Sequence, residues 1–209
     1  MLTQTLLRFT DLGADWILYI LFALSLASVA VMLERLIFFS TRGIRGVDAL
    51  ASKLLAGDLE AARAGLAKSR GMEGQVLLAA IAEASRGAGT VEEIIASGIA
   101  RQRMSYERSL AFLGTLGNNA PFVGLLGTVL GIIRAFQDLA VAAPGAIGKG
   151  PQTVMAGISS ALVATAVGLF VALPAVVAFN GFQRWLKAIT SRTNILGHAL
   201  VAYLREQRE

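Results

Sequence analysis

Three apolar runs without charged side chains constrain this 209-residue chain more than any other feature. The first is free of charge over residues 16–33, the second over 110–133 and the third over about 154–182. A helix needs roughly 17 to 25 apolar residues to cross a bilayer. Only 16% of the residues are charged, compared with about 25% in a typical soluble domain. The sequence therefore predicts an all-α membrane protein with three transmembrane helices.

The lysines and arginines lie unevenly around these runs. Eleven of the nineteen lie in residues 35–109 and five lie in residues 184–209. Because cytoplasmic loops carry an excess of Lys and Arg, this distribution predicts a periplasmic N-terminus and a cytoplasmic C-terminus. The first 15 residues contain one Arg and two Asp. A signal peptide begins with a positive segment, so we expect the first run to be an uncleaved span.

The spans and their flanking charges predict a complete order of segments. These are a short periplasmic N-terminus (1–15), the first transmembrane helix (16–39), a cytoplasmic helical domain (40–109), the second transmembrane helix (110–133), a periplasmic loop (134–153), the third transmembrane helix (154–182) and a cytoplasmic C-terminal helix (183–209).

The cytoplasmic domain has the pattern of several helices. Asp58 precedes a short stretch with small apolar residues on one side, and Thr90 with Glu93 matches a capping box at the start of a longer helix. No Pro or cluster of turn residues separates that helix from the second span, so we expect one continuous helix. We expect the third span to continue likewise, so that both extend into a cytoplasmic helical bundle. Packing and regulation remain equally open as roles for this domain.

The scarcity of reactive side chains excludes several functions. The chain has no cysteine and a single histidine, His198. Disulfides, Cys-based metal sites and His-rich metal sites are therefore excluded, and we expect neither an enzyme nor a bound cofactor or metal. The net charge of +5 follows from the positive-inside distribution, so nucleic acid is not an expected partner.

Small residues, prolines and hydroxyls distinguish the second and third spans. Glycines and prolines there predict close helix packing and local bends; they are Pro121, Gly124, Gly127 and Gly131 in the second span, and Gly168 and Pro174 in the third. The deep hydroxyls are Thr128, Ser160 and Thr165. Taken singly, a membrane Thr most often only bonds a carbonyl of its own helix.

The combination resembles the MotA/TolQ/ExbB proton channel family. The resemblance is carried by NAPFVGLLGTVLGI at 119–132, ALVATAVGLFVALPAVV at 161–177 and LERL at 33–36. The three-span layout, with its large insert between the first two spans, is similar to the TolQ/ExbB branch rather than to the four-span flagellar branch.

The resemblance implies a bacterial inner-membrane pentamer around two copies of a single-span partner of the TolR/ExbD/MotB type. That partner carries an Asp in its membrane helix, and ions reach it along a path lined by the second and third spans. Thr128 and Thr165 match the family's pore-facing threonines. The resemblance implies that the chain is the ion-channel subunit of a motor, with the proton as the expected ion. The motor would perform work on a periplasmic or outer-membrane target.

One position departs from the TolQ/ExbB pattern. Ser160 stands where those proteins usually carry a Glu, five residues before the second Thr, and flagellar relatives also lack a carboxylate there. No acidic or basic residue lies within 110–133 or 154–182. Because a proton path needs a titratable group at membrane depth, a partner must supply it. Two alternatives stay open: a conducting subunit, for proton or sodium, and a non-conducting scaffold that assembles with such a partner.

Overall fold

The computed structural model describes residues 15–44, 46–141 and 149–207, and every regular element in these ranges is helical. The helices are α1 (Asp15–Thr41), α2 (Val47–Leu55), α3 (Leu59–Leu66), α4 (Met72–Ala82), α5 (Ala88–Glu107), α6 (Leu110–Val141) and α7 (Lys149–Glu206), with a 3-10 turn at Ala84–Arg86. Helices α1, α6 and α7 are long and apolar enough to cross a membrane. The prediction of an all-α membrane protein with three spans is confirmed.

The described residues pack into two compact units. The membrane unit contains α1 up to Met32, α6 from Phe112 onwards and α7 up to Phe179. The insert unit contains the residues from Leu33 to Ala111 and those from Asn180 onwards. Helix α6 continues to Val141 and α7 begins at Lys149, so helix occupies both ends of the predicted 134–153 loop. The N-terminal segment 1–14 lies outside the described residues.

In the membrane unit, α6 and α7 run antiparallel with their small residues in contact. A Cβ placed on Gly117 would meet Val176, one on Gly127 would meet the Ala164 Cβ at 2.6 Å, and one on Gly157 would meet the Ala135 Cβ at 2.6 Å. The contact on α7 thus moves backwards along the chain as the position on α6 moves forwards. This series of contacts fixes the register of the two helices.

The closest approach joins Gly124 of α6 to Gly168 of α7. A Cβ on Gly124 would lie 2.7 Å from the Ala164 carbonyl oxygen, and one on Gly168 would lie 2.7 Å from the Ala120 carbonyl oxygen. The obstructing atoms belong to backbone, which cannot rotate away as a side chain can. Only glycine therefore fits at these two positions without separating the helices. The packing role of Gly124, Gly127 and Gly168 stays a prediction, for which these short distances are the physical basis.

Helix α1 completes the membrane unit through two buried side chains, Ile17 and Leu21. They pack in one apolar cluster with residues of both other helices, which are Leu116, Ala120, Val171, Ala172 and Ala175. The opposite faces carry large exposed apolar side chains such as Phe122 and Phe170, exposed by 68% and 77%. Such faces suit lipid or further protein rather than water.

The insert unit packs around aromatic rings. Phe39 is fully buried, and its ring lies 5.3 to 5.4 Å from those of Tyr106, Phe182 and Trp185. The Tyr106 hydroxyl accepts a hydrogen bond from the backbone N–H of Met72 at 3.3 Å. The cluster therefore ties together the end of α1, the start of α4, the end of α5 and α7.

The expectation of one continuous helix into the second span is wrong, because Arg108 and Ser109 form a turn between α5 and α6. Arg35 explains how the break is accommodated. Its Nη1 donates to the Ser105 and Tyr106 carbonyls at 3.5 and 3.4 Å, where α5 leaves carbonyls without intrahelical partners. Arg35 is only 7% exposed and also pairs with Glu34 at 2.6 Å. The LERL segment thus caps a neighbouring helix.

Of the two helix starts predicted for the insert unit, one is confirmed and one is wrong. Asp58 caps α3 as expected, since its side chain accepts from the Ala61 N–H at 3.1 Å. The capping box at Thr90 is wrong because α5 begins at Ala88, with Gly87 as its N-cap. Gly87 has φ +96°, a conformation that glycine adopts readily. The chain therefore turns before Thr90, and Thr90 lies inside the first turn.

Glu73 is a fully buried carboxylate in the first turn of α4. Among the described residues neither of its oxygens has a hydrogen-bond partner. Burial raises the pKa of Glu73, while the charge of Arg192 opposes the rise. Burial also raises the pKa of Tyr106, and Glu73 adds to that rise. The protonated form of Glu73 is therefore the one that suits this packing.

Replacing Gly168 by alanine tests the backbone contact. Because the new Cβ would lie 2.7 Å from the Ala120 carbonyl oxygen, we expect Gly168→Ala to destabilise the chain by about 1–3 kcal/mol. Thermal unfolding of the detergent-solubilised chain measures the loss. Gly181→Ala, in the same helix with open space around its Cβ, should change little. Equal thermal unfolding midpoints for the two variants would show that the backbone contact at Gly168 does not limit the side chain there.

The burial of Glu73 predicts a pH-dependent stability. With its pKa raised above 4.5 in the folded chain, the folded state holds a proton that the unfolded state has already lost. Stability therefore falls as pH rises from the ordinary value through the raised one. We expect Glu73→Gln to be more stable than the wild type above this window and equally stable below it.

Thermal unfolding across an acid-to-neutral pH series measures that difference. The matched control is Glu60→Gln, because Glu60 is exposed in the neighbouring helix α3. A constant difference between Glu73→Gln and wild type at every pH would rule out titration as its cause.

Candidate functional site

Thr128 and Thr165 meet beside the closest approach of α6 and α7. Thr128 follows Gly124 by one helical turn, and Thr165 precedes Gly168 by about one turn in the antiparallel helix. The Thr165 Oγ1 donates to the Thr128 Oγ1 at 3.4 Å. The narrow backbone separation set by the glycines brings these short side chains within reach. The structure thus joins the two threonines that the sequence singled out.

The two hydroxyls form a short series of hydrogen bonds that ends at a backbone carbonyl. The Thr128 Oγ1 donates to the Leu125 carbonyl at 2.7 Å and accepts from Thr165. Thr128 is 7% exposed, whereas Thr165 is half-buried. The Thr165 oxygen still has acceptor capacity. The pair can therefore receive a hydrogen bond from a water or side chain that approaches Thr165.

The structure does not bring Ser160 to this pair. Five residues of α-helix rotate a side chain by about 140° from the starting face, and Ser160 is exposed in the single chain. Ala161, Ala164 and Gly168 are buried and form the face of α7 that packs in the membrane unit. A Glu at position 160 would likewise point away from the Thr128–Thr165 contact within one subunit.

The prolines lie inside helices rather than at their ends. Helix α6 continues through Pro121 and α7 continues through Pro174. Pro121 is half-buried and Pro174 is exposed. Near Pro121, the Asn119 side chain donates to the Thr115 carbonyl at 2.7 Å, which satisfies part of a polar side chain that lipid would disfavour. A bend at either proline stays a prediction, as does a role for Gly131, which is half-buried.

The site contains hydroxyls but no titratable group. The sequences 110–133 and 154–182 contain no Asp, Glu, Lys, Arg or His. Within the described ranges no three His, Cys, Asp or Glu residues group closely enough to hold a metal ion, and His198 is exposed in α7. The arrangement can orient water or a neighbouring polar group, but a hydroxyl cannot bind and release a proton near neutral pH.

Sequence reasoning missed two buried charged residues. The LERL segment at 33–36 carried the family resemblance, but the capping of α5 by its Arg35 was not predicted. The position of Arg35 between Glu34 and an aromatic pair, Phe38 and Phe39, is a signal that could have indicated a buried guanidinium. Glu73 gave no signal, because one Glu in a helical first turn is ordinary.

Comparison with known proteins places these residues within the segment that matches a known family. The sequence profile of the MotA/TolQ/ExbB proton channel family matches residues 68–195, which is more than half of the chain and contains the Thr128–Thr165 pair. The Tol-Pal system protein TolQ of Pseudomonas aeruginosa is 47% identical over 85 residues, covering 41% of this chain and 35% of the relative.

Two further relatives belong to the same branch. The biopolymer transport protein ExbB of Xanthomonas campestris is 37% identical over 111 residues, covering 53% of this chain and 42% of the relative. ExbB of Helicobacter pylori is 42% identical over 89 residues, covering 43% and 59%. The chain thus matches between about a third and three fifths of the length of these curated relatives. It belongs to the MotA/TolQ/ExbB proton channel family, in the TolQ/ExbB branch.

Proposed function

We propose that this multi-pass membrane protein is the ion-channel subunit of a bacterial inner-membrane motor. It couples the ion-motive force, with the proton as its ion, to mechanical work on a periplasmic or outer-membrane target. The observation that carries the proposal is the Thr128–Thr165 hydroxyl contact, in a charge-free helix pair inside the family-matched segment. Such a contact offers polar partners at membrane depth without placing a charge there.

The absence of titratable groups from 110–133 and 154–182 assigns the protonation step to a partner. We propose a single-span protein of the TolR/ExbD type, whose membrane Asp approaches the half-buried Thr165. Protonation removes the charge of that Asp and changes which subunit face it prefers. One elementary charge crossing 100 mV yields about 2.3 kcal/mol, which is sufficient to bias steps of a central helix pair.

The proposed assembly is a pentamer of this chain around two partner helices, with the N-terminus periplasmic and the C-terminus cytoplasmic. Two features support burial of the single chain against other copies. In the membrane unit, Phe122 and Phe170 are among many exposed apolar side chains. In the insert unit, Met104 and Ile195 are 73% and 50% exposed, which is costly if water covers them.

A non-conducting scaffold is the second candidate. Its support is that Thr128 already donates to its own helix at the Leu125 carbonyl, as a purely structural threonine does. Ser160, which replaces the usual Glu, also faces away from the threonine pair. A scaffold would need the glycine packing and the partner contacts, but it would not need the hydroxyls.

Thr→Val substitutions separate the two candidates, because Val keeps the shape and removes the hydroxyl. We expect Thr165→Val in the complex with its partner to lower ion flux into proteoliposomes by about tenfold, the equivalent of one lost hydrogen bond of about 1.4 kcal/mol. Thr165→Ser, which retains the hydroxyl, should keep most of the flux. Running the assay with proton and sodium gradients identifies the ion.

Assembly must be measured on the same variants by native mass spectrometry. Reduced flux with an intact complex supports the channel. The absence of gradient-dependent flux in wild type would leave the scaffold as the function. Unchanged flux in Thr165→Val would show that conduction does not depend on the Thr128–Thr165 contact.

The oligomeric state gives a further prediction. Because the exposed apolar faces described above favour burial against further copies, the purified chain in mild detergent should have the mass of five 22.0 kDa chains. Native mass spectrometry measures this directly, and a monomer in several mild detergents would contradict the ring.

A further inference from the structure

A groove of about 570 Å³ lies in the insert unit on the surface of α7. Its polar lining includes Asn180, Arg184, Lys187, Ser191 and Asn194 of α7, together with Arg103 of α5. The α7 residues recur every three or four positions, so they occupy one face of the helix. Arg103 approaches that face from a segment about 80 residues earlier in the sequence.

The charges that line the groove are all positive. Arg103, Arg184 and Lys187 contribute three cations, and no carboxylate lines the groove. The Arg103 Nε pairs with Glu107 at 2.6 Å, which leaves its other guanidinium nitrogens available as donors. Within the described residues, no carboxylate lies within ion-pair distance of Arg184 or Lys187. Arg184 and Lys187 thus bring two positive charges together without a counter-ion, and such charges repel one another unless an anion joins them.

The uncharged lining residues also match an anion. Asn180, Gln183 and Asn194 carry amide N–H donors, and Thr190 and Ser191 carry hydroxyl donors. Guanidinium groups bind the oxygens of a phosphate in pairs, and an ammonium adds a point charge. Arg184 and Lys187 directly follow the apolar run that ends at residue 182, where phosphate headgroups flank a membrane span.

We propose that this groove binds a phosphate group, supplied either by an anionic phospholipid headgroup or by a soluble phosphate compound. The site is separate from the Thr128–Thr165 pair and does not depend on whether the chain conducts ions. Arg184 and Lys187 hold the phosphate oxygens from α7, Arg103 closes the site from α5, and the amides and hydroxyls complete the set of donors.

The test uses the full chain and two kinds of phosphate. In the lipid arm, native mass spectrometry counts phosphatidylglycerol and phosphatidylcholine retained by the chain from mixed micelles. In the soluble arm, inorganic phosphate is titrated into chain embedded in phosphatidylcholine nanodiscs and followed by calorimetry. The variant is Arg184→Gln with Lys187→Gln, whose side chains are exposed, so folding should be preserved.

We expect the double variant to weaken binding by about tenfold or more in one arm, and added salt to weaken wild-type binding. The control is Arg63→Gln with Lys68→Gln, two exposed cations of the same unit that remove the same charge elsewhere. Control binding should equal wild type. If the double variant loses binding only to phosphatidylglycerol, the natural ligand is a lipid headgroup. If it loses binding only to inorganic phosphate, the natural ligand is a soluble phosphate compound.

Two results would overturn the site. They are the absence of binding in both arms and an equal loss in the groove and control variants.

Discussion

The contact between the Gly124 and Gly168 backbones is the constraint on which the membrane unit depends. Lipid tails are as apolar as leucine, so burying apolar side chains gives helices little reason to associate. Close backbone approach supplies dispersion contacts instead, and it requires residues without a Cβ. The same approach sets the register of α6 against α7 and brings Thr128 within 3.4 Å of Thr165. The candidate site is therefore a consequence of packing.

A different interaction organises the insert unit. Arg35, at the end of the first apolar helix, satisfies carbonyls of α5 and lies 4.5 Å from the centre of the Phe38 ring. A guanidinium can serve several acceptors and a ring face at once, which lysine cannot. Removing it would leave buried carbonyls without a partner. The interruption between α5 and α6 is thus a specific junction held by a side chain from a distant part of the sequence.

The sequence was sufficient for features set by local or periodic patterns. The three apolar helices and the helix start after Asp58 were predicted because each depends on neighbours along one helix. Errors arose where a distant residue or a single backbone conformation decides the outcome. The helix break at Arg108 depends on Arg35, and the helix start at Ala88 depends on the conformation of Gly87. Arg103, Arg184 and Lys187 share a groove only after folding, and the pattern around Glu73 contains nothing that indicates complete burial.

The charge-free character of the second and third spans has a consequence for the order in which a cell can build the complex. Thr128 directs its proton to the Leu125 carbonyl, and neither span contains a group that exchanges protons near neutral pH. If, as proposed above, the partner alone supplies the titratable group, the proposed proton path is incomplete in this subunit without its partner. On that proposal the subunit can be synthesised in excess, inserted and stored in the membrane before the partner arrives.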